Sequence, residues 1–134
     1  GLVAVTPASG SVGPMGAIAI GIAAGVVCYW ASTSLKKTLG YDDSFDVFGV
    51  HGVGGIVGAL LTGIFAISAD GSEMIKNQVS GQVISVIITI VWSGVVAFIA
   101  IKIADVCCGG IRSSEDDETE GLDLADHGED GYQL

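Results

Sequence analysis

The chain has 134 residues, half of them hydrophobic, with 21 glycines and a mean hydropathy of +0.66. Those values suit a polytopic membrane protein rather than a soluble domain. The formal net charge of −10 is concentrated at one end: the first 114 residues carry five basic and six acidic side chains, the last 20 nine acidic and none basic. The chain therefore reads as a nearly neutral membrane part, 1–112, followed by an acidic tail, 113–134. It lacks the basic patch that nucleic-acid binding needs.

Residues 1–12, GLVAVTPASGSV, read as the end of an apolar helix running into a loop, with Pro7 and the Ser/Gly cluster as breakers. Pro14 suits a first helical turn and opens the first complete span, about 13–35. That span holds a GxxxG pair, Gly21 and Gly25, with Tyr29 and Trp30 late in it, and Lys36 and Lys37 are expected to stop it. The second span covers about 45–67; Asp43, Ser44 or Asp46 supplies a cap for its N-terminus. Residues 68–80 are polar and turn-like, with 74–79 as one short surface helix. The third span covers about 82–106 and is rich in β-branched residues. A strand reading fails there, because a membrane strand needs a closed barrel and an alternating pattern. Lys36, Lys37, Lys102 and Arg112 mark the cytoplasmic ends of spans one and three, which puts the tail in the cytoplasm. Three spans are few for enclosing a pathway, so the chain is expected to be the C-terminal part of a larger protein.

The cysteines add little. Cys28 suits a small core residue, and Cys107 and Cys108 suit packing at the end of the third span, with palmitoylation as the alternative. None has metal-ligand spacing with His51, so no metal site and no cofactor is expected.

The chemistry centres on Asp46-Val-Phe-Gly-Val-His51-Gly-Val-Gly-Gly55, which puts one histidine near the start of a run with no charge between Asp46 and Asp70. The run is long enough to cross a bilayer as a helix. An imidazole is costly in hydrocarbon, so it should face a protein interior or a water-accessible cavity, and it is a functional-site candidate by default; the plainer alternative is a packing hydrogen bond to a neighbouring helix. Gly52, Gly55, Ala59 and Thr62 form one small-residue stripe and Gly54 with Gly58 a second small-xxx-small pair. Both would let helices approach closely around His51, and on the first stripe Gly55→Leu is expected to disrupt assembly more than Ile64→Leu.

These residues resemble the C-terminal part of the ammonium transporter (Amt/Mep/Rh) family. The stretch from Asp43 through His51 to Gly58 is similar to the family's segment carrying the second pore histidine. The stretch from Thr89 to Phe98, with Trp92, resembles its long last transmembrane helix. Gly121, Leu122 and Asp123, followed by His127, Gly128, Glu129 and Tyr132, resemble the cytoplasmic tail of bacterial and archaeal members, with a departure at Gly131.

The resemblance implies an all-α, polytopic membrane helix bundle, the C-terminal portion of an eleven-helix fold that assembles as a homotrimer with one pore per subunit. It implies a multi-pass protein of the cell membrane that moves ammonium or ammonia through a hydrophobic pore. His51 then matches a hydrogen-bonding pore histidine, with Asp46 and Val47 one helical turn below it at the inner vestibule and pore wall. It further implies that the tail docks on the cytoplasmic face and helps a PII-type signal protein plug the pores. On that reading 113–120 stays solvated and mobile, while 121–132 docks against the inner loops, including 36–43. A non-conducting ammonium sensor or scaffold that signals through its tail is the alternative. A coupled solute carrier would want more membrane carboxylates than Asp46. An enzyme is not expected, because the spans hold no nucleophile–base pair, metal-ligand cluster or phosphate loop.

Overall fold

A computed structural model describes residues 1–67 and 75–129. These form α1 (Leu2–Val5), a 3-10 turn (Thr6–Ala8), α2 (Pro14–Trp30), a π turn (Ala31–Leu35), α3 (Lys36–Leu39), a second π turn (Phe48–Gly52), α4 (Val53–Phe65), α5 (Ile75–Cys108), α6 (Glu115–Glu120) and α7 (Leu122–His127). Among the described residues the one extended pairing is an isolated antiparallel bridge between Val12 and Ala66. Three helical stretches are long and apolar enough to cross a membrane: Pro14–Leu39, Phe48–Phe65 and Val79–Cys108. The chain is an all-α, polytopic membrane helix bundle, and it divides into two compact units, Gly1–Val91 and Trp92–Leu134.

In the first unit, Pro14 occupies the first turn of α2, where its missing N–H costs nothing. The helix does not stop at Lys36 and Lys37 but runs through them to Leu39. Lysine is a good helix former, and its long stem lets the charge reach water while the backbone stays helical. The break comes at Gly40, in the left-handed conformation at φ 62°, whose N–H donates to the Lys36 carbonyl.

Ala4, Ala8, Ile20 and Ala24 form the buried core, with Val5, Val12, Leu61 and Phe65 packed against it. Its small side chains follow from how closely α1 lies on α4. A Cβ at Gly58 would stand 2.1 Å from the Ala4 carbonyl oxygen and 2.7 Å from the Ala4 Cα. One at Gly54 would stand 3.0 Å from the Cys28 sulfur. Thr62, also buried, donates its hydroxyl to the Gly58 carbonyl at 2.7 Å, so this face carries no unsatisfied hydroxyl. The pair Gly54 and Gly58, continued by Thr62, is thus the face that makes the close approach. Gly55 has nothing within 4 Å of its missing Cβ. Within this chain the backbone of α1 therefore lies against Gly58 and not against Gly55.

The third span is longer than expected. The helix is already present at Ile75 and continues to Cys108, so 75–79 is its first part and not a separate surface helix. Residues 68–74, the rest of the expected loop, lie outside the described residues. At 1.5 Å per residue, 34 residues make about 51 Å, well beyond the roughly 30 Å hydrocarbon core. Polar residues at both ends of the helix therefore belong to the interfaces. Between them the helix is uncharged and apolar except for the Ser85, Thr89 and Ser93 hydroxyls on one face, the pattern of a membrane span and not of a surface helix.

In the second unit the charge run at 113–120 is exposed, as expected of a solvated segment, but it is folded. The Ser114 hydroxyl oxygen accepts from the Asp117 N–H at 3.1 Å and so caps α6, whose first turn holds Glu115, Asp116, Asp117 and Glu118. Carboxylates there are favoured by the helix dipole. Arg112 clamps the same helix, donating from Nε to Glu118 Oε1 at 2.8 Å and from its terminal nitrogen to Oε2 at 2.9 Å. The Arg112 hydrogen bond holds the Glu118 carboxyl below the usual carboxylate range. Because the folded value is lowered, the pair's contribution is fully present above the ordinary Glu value of about 4.3 and is lost as pH falls through the folded value. Arg112→Gln should raise the Glu118 titration midpoint, measured by carboxyl NMR on full-length protein; an unchanged midpoint would refute the clamp.

Candidate functional site

The site begins with how the second span starts. Both oxygens of the Asp43 carboxylate accept backbone N–H groups, from Val47 and from Phe48, each at 2.8 Å. Of the three capping candidates, Asp43 is therefore the one that satisfies the orphan donors of the first turn. Asp46 does something different. Its φ is +54°, and it is the only non-glycine residue with positive φ among the described residues. A left-handed residue costs about 1–2 kcal/mol, least for Asp and Asn. Its N–H donates to the Asp43 carbonyl at 3.1 Å, and its carbonyl accepts from Val50 N–H at 2.8 Å. Its carboxylate takes the Lys36 ammonium at 2.9 Å. Lys36 also donates to the Asp43 carbonyl. One lysine at the end of the first span thus holds two points of the turn that opens the second.

Immediately above this turn the helix widens. Phe48–Gly52 is a π turn and it carries His51; Ala31–Leu35, the π turn of the first span, packs against it. Such turns are rare and often mark functional sites. The two meet at Gly49, where a Cβ would stand 2.4 Å from the Ser32 hydroxyl oxygen and 3.1 Å from the Ser32 Cα. The rings of Tyr41 and Phe48 pack edge to face, with centroids 5.6 Å apart. The Cys28 thiol donates to the Val50 carbonyl at 3.9 Å, so Cys28 is a helix-packing residue as its sequence context suggests. The Ser32 and Tyr41 hydroxyls are buried without a hydrogen-bond partner among the described residues.

The structure brings Asp46, Val47 and His51 together on one stretch. Asp46 is half-buried, while Val47, Val50 and His51 are exposed on this chain. His51 is thus not enclosed by the residues described here. The packed residues nearby are glycines, Gly49, Gly54 and Gly58, whose lost side chains make room for other helices. Among the described residues, no group of three or more His, Cys, Asp or Glu side chains is placed to hold a metal ion. Of the tail residues, Leu122, Asp123 and His127 lie on α7, Gly121 precedes it, and Gly128 ends it in the left-handed conformation with Glu129 following. Tyr132 lies outside the described residues. Ser32 and Lys36 join the site from the first span, and the sequence signals neither role: Lys36 reads there as the end of a span and an orientation marker, ten residues before Asp46.

The comparisons bear on this arrangement. The chain is similar to "Ammonium transporter" of Bacillus subtilis, 43% identical over 140 residues that cover 99% of this chain and 34% of that protein. It is similar to "Ammonium transporter" of Aquifex aeolicus, 43% identical over all of this chain and 32% of that one. "Putative ammonium transporter" of Methanothermobacter thermautotrophicus is 36% identical over all of this chain and 35% of that protein. The chain therefore spans about a third of the length of the curated relatives it matches. No solved structure matches it. The family model described as Ammonium Transporter Family matches residues 1–132, nearly the whole chain, including His51 and all three apolar spans, and the chain belongs to that family.

Proposed function

We propose that the protein carries ammonium or ammonia across the cell membrane, and that His51 provides the hydrogen-bonding point of an apolar path. The observation that carries this reading is the placement of His51: exposed, on a π turn, inside a helix apolar and long enough to cross a membrane. A bare ammonium ion in hydrocarbon carries a large desolvation cost, and ammonia does not. An imidazole at that depth can give or accept a hydrogen bond with ammonia and relay a proton. Val47 and Asp46 stand at the inner end of the same path, Val47 as wall and Asp46 at the vestibule. The path is enclosed by other parts of the same subunit, and three such subunits, each with its own pore, assemble as a homotrimer. Transport, not catalysis, is the activity.

Residues 1–112 belong to the membrane part, and 113–134 form a cytoplasmic tail. Gly121, Leu122, Asp123, His127, Gly128, Glu129 and Tyr132 regulate transport by docking on the inner face and meeting a PII-type signal protein. The apolar Leu122 and Leu124, both exposed on α7, support a docking role. Full-length protein in liposomes under an ammonium gradient tests the whole reading, with and without 121–134. The intact protein should conduct, and the truncated one should insert but conduct at an altered rate or escape inhibition by the partner. No flux above protein-free liposomes would overturn transport, and identical flux and inhibition for both forms would overturn the role of the tail.

A further inference from the structure

We propose that Lys36 is a positioning residue for the His51 segment, acting through Asp46; the proposal rests on the pore reading of His51. Three observations carry it. Asp46 is held in the left-handed region at φ 54°, uncommon outside glycine although aspartate bears it at less cost than most residues. The support is Lys36, whose ammonium meets Asp46 Oδ1 at 2.9 Å and also the Asp43 carbonyl, from the last helical turn of the preceding span. The direction taken by the chain at Asp46 is the direction in which the His51 helix leaves, because the Asp46 carbonyl accepts the Val50 N–H at 2.8 Å and the Asp43 carboxylate accepts those of Val47 and Phe48.

A second seat fixes the same segment. Gly49 lies against Ser32 with no room for a side chain, and Ser32 is one helical turn before Lys36 on the first span. His51 is therefore referenced to the first span at two points, the Lys36–Asp46 tie below and the Ser32–Gly49 contact beside it. Removing the tie leaves the Asp46 carboxylate unpaired and the left-handed turn held only by its backbone hydrogen bonds to Asp43 and Val50. The turn then relaxes toward ordinary right-handed values, and His51 shifts with it.

The test uses full-length protein in liposomes, with backbone amide exchange across 47–50 and ammonium uptake measured together. Lys36→Gln should speed exchange there and lower maximal uptake about tenfold or more, since displacements near 1 Å at a working site carry costs of that order. The half-saturating ammonium concentration should move little, while selectivity for ammonium over potassium should fall. Lys36→Arg, which keeps the cation, should restore most of both. Asp46→Gly removes the backbone strain, so adding Lys36→Gln on that background should leave exchange unchanged. Exchange at the wild-type rate in Lys36→Gln, or the same acceleration on the Asp46→Gly background, would overturn the tie. Faster exchange with wild-type uptake would overturn positioning. His51→Ala in the same assay is the control for the pore reading: if it leaves uptake intact that reading falls, and positioning of a transport residue falls with it, whatever Lys36→Gln does to exchange.

Discussion

Gly58→Ala is expected to cost the folded protein more than the same change at Gly54 or Gly55 of α4. The new Cβ would lie 2.1 Å from the Ala4 carbonyl oxygen and 2.7 Å from both the Ala4 carbonyl carbon and its Cα. These are backbone atoms, so no side-chain rotation relieves the clash, and α1 must move away from α4. Overpacking of this kind costs about 1–3 kcal/mol and occasionally more. The move would also open the core formed by Ala4, Ala8, Ile20 and Ala24. Gly55→Ala is the matched control three residues earlier. Its Cβ meets nothing within 4 Å on this chain, and alanine gains about 0.8–1.0 kcal/mol of helix propensity over glycine. Thermal unfolding of the two full-length variants in detergent decides it. Gly58→Ala should melt well below wild type and Gly55→Ala near it. Equal midpoints would mean that the α1–α4 contact does not hold the fold.

That contrast shows where sequence reading reached its limit. The spans were legible because bilayer thickness imposes a length and an absence of charge, and both are visible in one dimension. The histidine was legible because an ionisable group in such a run is rare. Which glycines touch a neighbour was not legible. Gly54 with Gly58 and Gly55 with Ala59 have the same spacing, and only the paths of α1 and α2 across the helix separate them. The Lys36–Asp46 tie was hidden for a different reason. It depends on a positive φ at Asp46, a residue that tolerates the conformation without announcing it. The helix in the tail was legible and was passed over. Ser114 just before a run of carboxylates is an N-cap signal, and the cap is present.

His51→Ala is expected to give the largest loss of function in the chain, and the structure makes the result informative in either direction. On the described residues the imidazole is exposed, within the helix Phe48–Phe65. An exposed polar group on a membrane helix meets either lipid or something polar. If it met lipid, alanine would remove a costly group, and the protein would become more stable with its flux intact. If it meets a passing ammonia molecule, alanine removes the hydrogen-bond partner that replaces water at that depth. Leaving a buried polar group unpaired costs about 1–3 kcal/mol, a factor of roughly 5–150 in rate when crossing limits flux. His51→Asn retains donor and acceptor groups but cannot relay a proton through a ring, so it separates hydrogen bonding from proton relay. Ammonium flux and ammonium-over-potassium selectivity in liposomes, with thermal midpoints for the same proteins, make the comparison. The pore reading expects alanine to lower flux or selectivity without raising stability. Unchanged flux and selectivity, with a higher midpoint, would place the imidazole against lipid and remove it from the path.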